Sequence, residues 1–429
     1  MKYAIITLGC KVNQYESASL ATLMNERGHE ESKLSGADAI IINTCAVTGE
    51  SSRKSRQAIR RARAENADAV IAVCGCFSQV EPKAAASLDA DIIFGSSDRK
   101  ELPAEIERKA AGFEGQILKT HDLSKRREFE LLPGGVIDGR VRATLKVEDG
   151  CDRFCAYCVI PLARGRVRSM PLSDVSDAAR RLEVEGYREL VITGIEISSY
   201  GKDIDDEITL ADLVEEIADF APGLRLRIGS LDPRALDERL VRRMANTGKV
   251  CPHFHLSLQS GSDEVLSMMG RGYSTKEFYE AAQMLRSHFP GCAISADLIT
   301  GFPGETAEHH AETLAFIKKC RFASMHVFPF SVRPGTRAAG MSGANSREVK
   351  TERAWQARLA AEEMKREYLE EQVGKTLDVI FETGEEMWRG HAGNYCVVET
   401  AGEALRGVVT NVKILRVQGD ILVGQMFDK

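Results

Sequence analysis

No stretch of this sequence approaches the roughly 18 uninterrupted apolar residues that a membrane-spanning helix needs. The protein is therefore expected to be cytoplasmic, with no membrane partner. Its opening, MKYAIITLGCKVN, has a lysine and then a short apolar run that ends at a glycine, too short for a signal-peptide core and better read as a first strand. Positive charge is not in surplus either: the formal net charge is −6, so the field of the whole molecule does not favour nucleic acid, and any RNA contact has to come from local basic patches. Low-complexity tracts and solenoid repeats are absent. A disulfide scaffold is excluded for the eleven cysteines, because the chain is long, the count is odd and no export signal is visible. Metal binding accounts better for some of these thiols, and buried, inert positions for the rest.

What is present is ordinary for a globular protein, with 43% hydrophobic and 28% charged residues over 429 positions, enough chain for two or three domains. The β-branched runs YAIITL (3–8), DAIIIN (38–43) and AVIAV (69–73) alternate with helical stretches at 14–28 and 51–65. That alternation predicts a doubly wound parallel sheet in an N-terminal domain, residues 1–125. Cys10, Cys45 and Cys76 fall just past the three strand ends, where open α/β sheets place their ligands, so one site gathers all three. A polar linker at 126–138 includes the Pro133-Gly134-Gly135 breaker. Six further β/α units, with strands near 142–147, 189–193, 224–229, 253–258, 294–299 and 324–328, predict a partial (β/α)6 barrel over 139–366, with chemistry at the C-terminal ends of its strands. A charged helix at 346–372 leads into short alternating runs separated by glycines, the pattern of a small antiparallel β-barrel at 367–429. The overall class is α/β.

The segment EDGCDRFCAYCVIP sets cysteines at 151, 155 and 158. Thiolates bind iron well, and this close spacing lets one loop cover three corners of a cubane cluster. The next cysteine is Cys251, more than ninety residues on, so three ligands leave one iron open to a small chelating substrate such as S-adenosylmethionine (SAM). A zinc knuckle is the competing reading, but it needs a fourth Cys or His, which 149–170 does not contain. The loop, with Tyr157 just before its last cysteine, resembles the C-x3-C-x2-C signature of the radical SAM superfamily. That resemblance implies a 4Fe–4S cluster that reduces SAM to methionine and a 5′-deoxyadenosyl radical.

TLGCKVNQYES, NTCAVT and GCFSQVEP resemble the N-terminal domain of the methylthiotransferases. The likeness continues through TGIEISSYG, GSLDP, HLSLQSGSDEVLSMMGRGYS, ADLITGFPGET and FPFSVRPGTRAA to a C-terminal segment that looks like a TRAM domain. It implies a second 4Fe–4S cluster on Cys10, Cys45 and Cys76, with one SAM as methyl donor and a second as radical source. It also implies an external sulfur source and an electron donor such as flavodoxin or ferredoxin. Cys76 rather than Cys74 matches the family's Gly-Cys-x-x-Gln pattern, and Cys251, Cys292, Cys320 and Cys396 match no ligand motif and are read as structural. Family members act on tRNA, at an adenosine beside the anticodon, or on a ribosomal-protein aspartate. Gly9-Cys10-Lys11-Val12-Asn13 resembles the threonylcarbamoyladenosine branch, whereas the isopentenyladenosine branch tends to carry Gln-Met-Asn after the cysteine. A non-catalytic iron–sulfur RNA-binding module is the alternative of another class, but two open-iron triads argue against it.

For the cofactor, the resemblance places Gly194 and Glu196 at the strand-end motif near the SAM amino group, where a carboxylate suits an ammonium; a helix-capping acid is the plainer role. Tyr157, Ser230, Asp232, Gln259 and Asp297 are also expected to line the SAM site, though the strand-end residues could simply cap helices or close turns. Gly301 and Gly304 are expected to let the backbone approach adenine. For the substrate, Arg164, Arg166 and Arg168 follow the cluster loop as candidate contacts to the tRNA anticodon stem-loop, or as a solvated loop. SSRKSRQAIRRAR (51–63) has six basic residues and no acid, with Arg53, Arg56, Arg60 and Arg63 predicted on one helix face. The segment from Tyr368 to Lys429 has six Lys/Arg against ten Asp/Glu, which does not advertise RNA binding, although Trp388, Arg389 and His391 could form a local stacking surface.

Overall fold

The β-branched runs become the middle of an all-parallel six-stranded sheet: β1 (Lys2–Thr7), β2 (Glu30–Glu31), β3 (Ala39–Thr44), β4 (Val70–Gly75), β5 (Ile92–Phe94) and β6 (Ile117–Lys119), in the order β2-β1-β3-β4-β5-β6. The computed structural model describes residues 1–134, 139–205 and 207–427. Ile40, Ile41 and Ile42 of β3 are all fully buried, because both faces of the sheet are covered. Helix α1 (Lys11–Glu26) and the helix Leu102–Ala110 pack on one face, and helix α2 (Gly49–Glu65) and the short helices Cys76–Val80 and Pro82–Ala86 on the other. Thr48 starts α2 by accepting from Ser51 N at 3.0 Å. The chain direction around the sheet reverses between β1 and β3, the crevice where such sheets receive ligands.

The barrel strands fall at the predicted positions. Strands β7 (Ala143–Lys146), β8 (Glu148–Asp149), β9 (Arg168–Ser169), β10 (Glu189–Thr193), β11 (Arg225–Ile228), β12 (Ser230–Leu231), β13 (His253–Gln259), β14 (Ala293–Thr300) and β15 (Ser324–Pro329) follow in chain order. β7, β10 and β11 form one parallel sheet and β12 to β15 another, and only Gly229 separates β11 from β12, so the two read as one arc of six units. Among the described residues no ladder joins β15 back to β7: the barrel is open. Leu145, Leu190, Ile192, Leu226, Leu256 and Ile294 pack outward under the surrounding helices, and the alternate positions, including Thr144, Lys146, Glu189, Val191 and Arg227, face the lumen. β8 and β9 form a short antiparallel ribbon that brackets the cysteine loop.

The helix Arg347–Glu370 lays Ala354 and Ala357 against Leu298 and Val327. Strands β16 (Thr376–Gly384), β17 (Met387–Ala392), β18 (Val397–Ala401), β19 (Val409–Gln418) and β20 (Ile421–Met426) then close a small barrel in the order β16-β17-β18-β20-β19. It is antiparallel except where β18 meets β20. It plugs the floor of the open barrel: Arg227 donates to Gly393 O at 2.9 Å and Arg225 to Asp378 Oδ2 at 2.8 Å. Both guanidiniums are held by Glu189, at 2.6 Å from each.

The N-terminal sheet docks across the gap of the open barrel and touches both edges. On the β7 side, Lys146 reaches Glu16 of α1 at 3.1 Å. Beyond β15, Ser331 Oγ accepts from Gly49 N at 2.9 Å, and Arg333 reaches Ser52 at 2.8 Å and Glu81 at 2.9 Å. Part of the stretch predicted as a polar linker is fixed in place: Glu130 pairs with Arg99 at 3.1 Å, and Leu132 O accepts from Tyr15 at 3.1 Å. Residues 135–138 of that stretch, including the last glycine of the breaker, lie outside the described residues. No helix is long and apolar enough to cross a membrane among the described residues.

Candidate active site

Cys10, Cys45 and Cys76 each stand just beyond a strand end, after β1, β3 and β4, and the loops that carry them are drawn tight. Gly9 and Gly75 make that possible, with φ of +104° and +98°, and a Cβ on them would lie 2.9 Å from Cys45 Cβ and 2.6 Å from Thr44 O. Asn13, one helical turn after Cys10, locks the loops by donating to Leu8 O at 2.7 Å and Thr44 O at 3.0 Å. Its Oδ1 faces Cys10 Sγ at 3.8 Å and accepts from Arg164 Nη2 at 2.8 Å, while Arg164 Nε donates to Cys76 Sγ at 3.3 Å. Cys74 packs instead with Leu20, Phe94 and Leu102 on the opposite face of the sheet, because strand alternation turns it away. Burial raises the Cys10 thiol and pushes Cys76 up to about 12; such thiols give up their protons when they ligate metal.

The second triad lies in the loop between β8 and β9. Cys151 N donates to Gly165 O at 3.0 Å, Ala156 N to Met269 O at 2.8 Å, and Cys158 N to Cys155 O at 3.0 Å. Burial raises Cys151 and pushes Cys158 up to about 11. Arg271 Nη1 donates to Cys155 Sγ at 3.3 Å, a fixed positive charge beside one thiol. Among the described residues no three His, Cys, Asp or Glu side chains close on a single ion position; a cubane several ångströms across takes its thiolates from farther apart than one ion does. Beside this loop, Glu148 Oε1 and Glu196 Oε1 are buried without a hydrogen-bond partner. Glu148 Oε2 accepts from Glu196 N at 2.7 Å, Arg153 Nε lies 3.4 Å from Glu196 Oε2, and burial raises the Glu148 carboxyl well above the usual range. Two orphan carboxylate oxygens next to a guanidinium suit an amino-acid head group, ammonium to the acids and carboxylate to the arginine. The residues present therefore fit SAM.

A buried charge network joins the two triads. Glu16 is fully buried and receives Arg99 at 2.8 Å, Lys146 at 3.1 Å and Arg164 through both oxygens. Asp149 lies 3.1 Å from Lys146 and 3.4 Å from Arg164. Burial alone would raise the Glu16 carboxyl, but the charges of Arg164, Arg99 and Lys146 outweigh it and hold it well below the carboxylate range. Because Arg164 ends the short helix Ile160–Arg164 that follows Cys158, one guanidinium fixes the chain bearing one triad to a sulfur of the other.

The structure corrects several sequence expectations. Arg164 is wholly buried and Arg168 nearly so, donating to Arg166 O at 2.7 Å, so neither presents its guanidinium at the surface; their acidic partners lie far away in sequence or on the adjoining ribbon. Arg166 stays half-exposed, 3.2 Å from Asp152 and stacked 4.8 Å over Phe154. On α2, Arg53 is spent on Glu50 at 2.6 Å, Arg56 lies over Phe77 at 5.6 Å, Arg63 folds back onto Asp91 at 2.6 Å, and Arg60 alone is exposed without an ion pair among the described residues. The face is therefore less basic than its sequence. Asp232 caps its own turn through Arg234 N at 3.0 Å and is further held by Arg234 and Arg271, leaving it no free oxygen for ribose. Gly301 does not open a cradle for adenine on its Cα side, since a Cβ there would lie 2.2 Å from Lys350 Cγ; at Gly304 the neighbour is Met268 Sδ, 2.8 Å away.

Of the remaining predicted residues, Gly194 closes against Glu148, with Oε2 2.6 Å from where a Cβ would be, and Ser230 is exposed at the start of β12. Gln259 ends β13 at φ +69° after a register shift, Asp297 Oδ2 lies 3.2 Å from His255 Nε2, and Tyr157 packs against Ala156, Met269 and Phe302. Cys292 and Cys320 belong to the barrel core and Cys396 to that of the small barrel. Asn13, Glu16 and Arg271 were not singled out from sequence, although the Cys10-x-x-Asn13-x-x-Glu16 spacing puts Asn13 and Glu16 on the face of α1 that follows Cys10.

The fold and site define a radical SAM enzyme with a second cysteine triad on a flavodoxin-like sheet. Residues 145–317 match the radical SAM superfamily, and residues 2–95 match a family described as uncharacterized protein family UPF0004. The chain is 36% identical to "Threonylcarbamoyladenosine tRNA methylthiotransferase MtaB" of Bacillus subtilis, over 96% of this chain and 93% of that protein. It is 36% identical to the protein of the same name from Thermotoga maritima, over 88% and 86%. A "tRNA-2-methylthio-N(6)-dimethylallyladenosine synthase" of Pelotomaculum thermopropionicum is 33% identical over 96% and 95%. Among solved structures, the radical SAM methyltransferase TsrM from Kitasatospora setae superposes with a TM-score of 0.57 at 16% identity, covering 79% of this chain and 76% of that one, a likeness of fold. The chain belongs to the radical SAM methylthiotransferases, and its cofactors are 4Fe–4S clusters and SAM.

Proposed function

We propose that this chain methylthiolates N6-threonylcarbamoyladenosine at position 37 of tRNA, with Cys151, Cys155 and Cys158 holding the SAM-cleaving cluster and Cys10, Cys45 and Cys76 the auxiliary one. When bound, the clusters and two equivalents of SAM supply the difficult chemistry, generating a 5′-deoxyadenosyl radical and delivering sulfur and methyl to an unactivated C–H position. The protein's part is to hold the reactants and exclude water. Glu148, Glu196 and Arg153 would orient the amino-acid end of SAM, and the N-terminal sheet covers the gap of the barrel and turns its triad toward the lumen.

The observation that carries the reading is the single guanidinium of Arg164, which joins Cys76 to the chain leaving Cys158; on this reading the two triads face one space. The branch rests on the near-full-length likeness to threonylcarbamoyladenosine methylthiotransferases. The test is mass spectrometry of tRNA nucleosides from cells with and without the gene. Loss of 2-methylthio-threonylcarbamoyladenosine is expected. Loss of the methylthio-isopentenyl nucleoside would keep the reaction and overturn the branch, and unchanged tRNA would direct the search to a ribosomal-protein aspartate. An electron donor of the flavodoxin or ferredoxin kind and an external sulfur source complete the reaction.

A further inference from the structure

A cavity of about 370 Å³ opens where all three parts of the chain meet, lined by Lys11, the residue that follows Cys10. Lys11 enters from the start of α1, Arg140, Arg142 and Thr144 from the chain leading into β7, and Glu382 and Tyr395 from the small barrel. Its charge is one-sided, three cations against one carboxylate. Arg142 is paired with Glu382 at 2.9 Å, which also accepts from His391 at 2.8 Å, and Arg140 is held by Gln14 at 2.9 Å. Lys11 differs. Among the described residues it has neither an ion pair nor a hydrogen bond, and its ammonium lies 5.8 Å over the Tyr395 ring. The same ring is approached by Arg142 at 5.5 Å and Arg227 at 4.7 Å, and it stacks on His253 at 4.7 Å. A cation without an ion pair of its own, beside two further cations in a cavity with a single carboxylate, is a place for an anionic ligand group.

The proposed substrate carries such a group. The threonylcarbamoyl substituent on N6 ends in a free carboxylate beside a hydroxyl, whereas an isopentenyl substituent is wholly apolar. In adenine, C2 and C6 both flank N1, so when the C2 edge faces Cys10 and its partners the N6 substituent lies to one side of that edge, and the cavity begins at Lys11, one residue from Cys10. Resting on the function proposed above, we infer that this cavity receives the threonylcarbamoyl group, with the Lys11 ammonium pairing with its carboxylate. Lys11 is then a specificity-determining residue, and Arg140 and Arg142 contribute to the field while Gln14 and Glu382 hold them in place. An isopentenyl group entering the same space would leave these cations desolvated and unpaired, so the pocket selects against it as well as for the acid.

The test uses the anaerobically reconstituted holoenzyme and two anticodon stem-loop RNAs, identical except that one carries threonylcarbamoyladenosine and the other its carboxylate methyl ester. The wild-type enzyme is expected to methylthiolate the acid with kcat/KM roughly ten- to a hundredfold above the ester, the range of one charge-assisted contact. Lys11→Gln should lose most of that ratio by slowing on the acid, and Lys11→Arg should restore part of it. The ratio does not respond to partial misfolding or cluster loss, which lower both rates together. Equal wild-type rates on acid and ester would overturn this inference and leave the proposed function standing. A Lys11→Gln enzyme that still discriminates would overturn the role of Lys11. Methylthiolation of neither RNA, with 5′-deoxyadenosine still formed, would overturn the proposed function itself.

Discussion

Replacing Glu16 with Gln keeps the shape of the side chain and removes one charge from a fully buried ionic cluster. Three cations converge on that carboxylate, Arg99 at 2.8 Å, Lys146 at 3.1 Å and Arg164. Glu16, Arg99, Lys146 and Arg164 have no exposed side-chain surface, so water cannot take over. Asp149 alone would remain to balance Lys146 and Arg164, and Glu130 to balance Arg99. Breaking a buried pair by removing one partner costs about 3–5 kcal/mol, a large share of the stability of any domain. The same loss frees Arg164 to move away from Cys76. The assay is anaerobic urea unfolding followed by far-UV circular dichroism, because both tryptophans, Trp355 and Trp388, lie outside the N-terminal sheet. The transition that involves the N-terminal sheet should shift by about 3–5 kcal/mol at unchanged slope. Glu50→Gln, which breaks only the surface pair with Arg53, should shift nothing measurable. Because the folded pKa of Glu16 is depressed, its contribution is complete at neutral pH and is lost as acid protonates the folded state. The gap between wild type and Glu16→Gln should therefore narrow as the pH falls below about 4. A shift smaller than about 1 kcal/mol at pH 7 would refute the argument, since it would place the cluster in the range of solvent-screened pairs.

Further outcomes follow from the two triads and from the barrel floor. Cys155→Ala should abolish reductive SAM cleavage, read as 5′-deoxyadenosine by chromatography, whereas Cys45→Ala should retain cleavage and lose methylthiolated product; product from the second variant would overturn the auxiliary-cluster assignment. Arg271→Met removes a positive charge 3.3 Å from Cys155, so the midpoint potential of that cluster should become more negative in an EPR-monitored redox titration, and an unchanged potential would mean the guanidinium is elsewhere when iron is bound. Burial would raise Glu189, but Arg227 and Arg225 outweigh it and hold it at about 2. Its hold on the small barrel is therefore present at neutral pH and lost as the pH falls from about 4 toward 2. Limited proteolysis across the range, with one protease active near neutrality and another active in acid, should release the C-terminal segment earlier in Glu189→Gln than in wild type near neutrality, and the difference should vanish in acid.

The sequence announced the parts of this fold that are periodic or punctuated. Ile40–Ile42 could only be a doubly covered strand, and a cysteine follows each of three strand ends. β5 and β6, three residues each, carry no readable period, and the helix Leu102–Ala110 between them was passed over with them. Side-chain roles were harder to read, because they depend on contacts between distant segments. Arg164 looked like an RNA contact beside Arg166 and Arg168, yet its partner Glu16 lies 148 residues earlier. The basic run on α2 looked free of acid because Glu50 falls just before the segment, while Glu81 and Asp91, which also pair with it, lie 18 and 28 residues beyond its end. Lys11 was visible only as part of a family segment, and its surroundings required the small barrel to be in place.

The guanidinium of Arg164 has a consequence for how this protein can change over time. A two-domain enzyme whose halves are joined only by a tether can exchange one half for a relative's and adjust the tether afterwards. Here the halves share a rigid planar group, gripped by Asn13 and Glu16 of one and carried by the other. Transplanting the N-terminal sheet from a relative should therefore succeed only when these three residues travel as a set, and lengthening the connecting segment will not rescue a mismatched pair. The two halves are expected to be inherited together, as a single unit of descent.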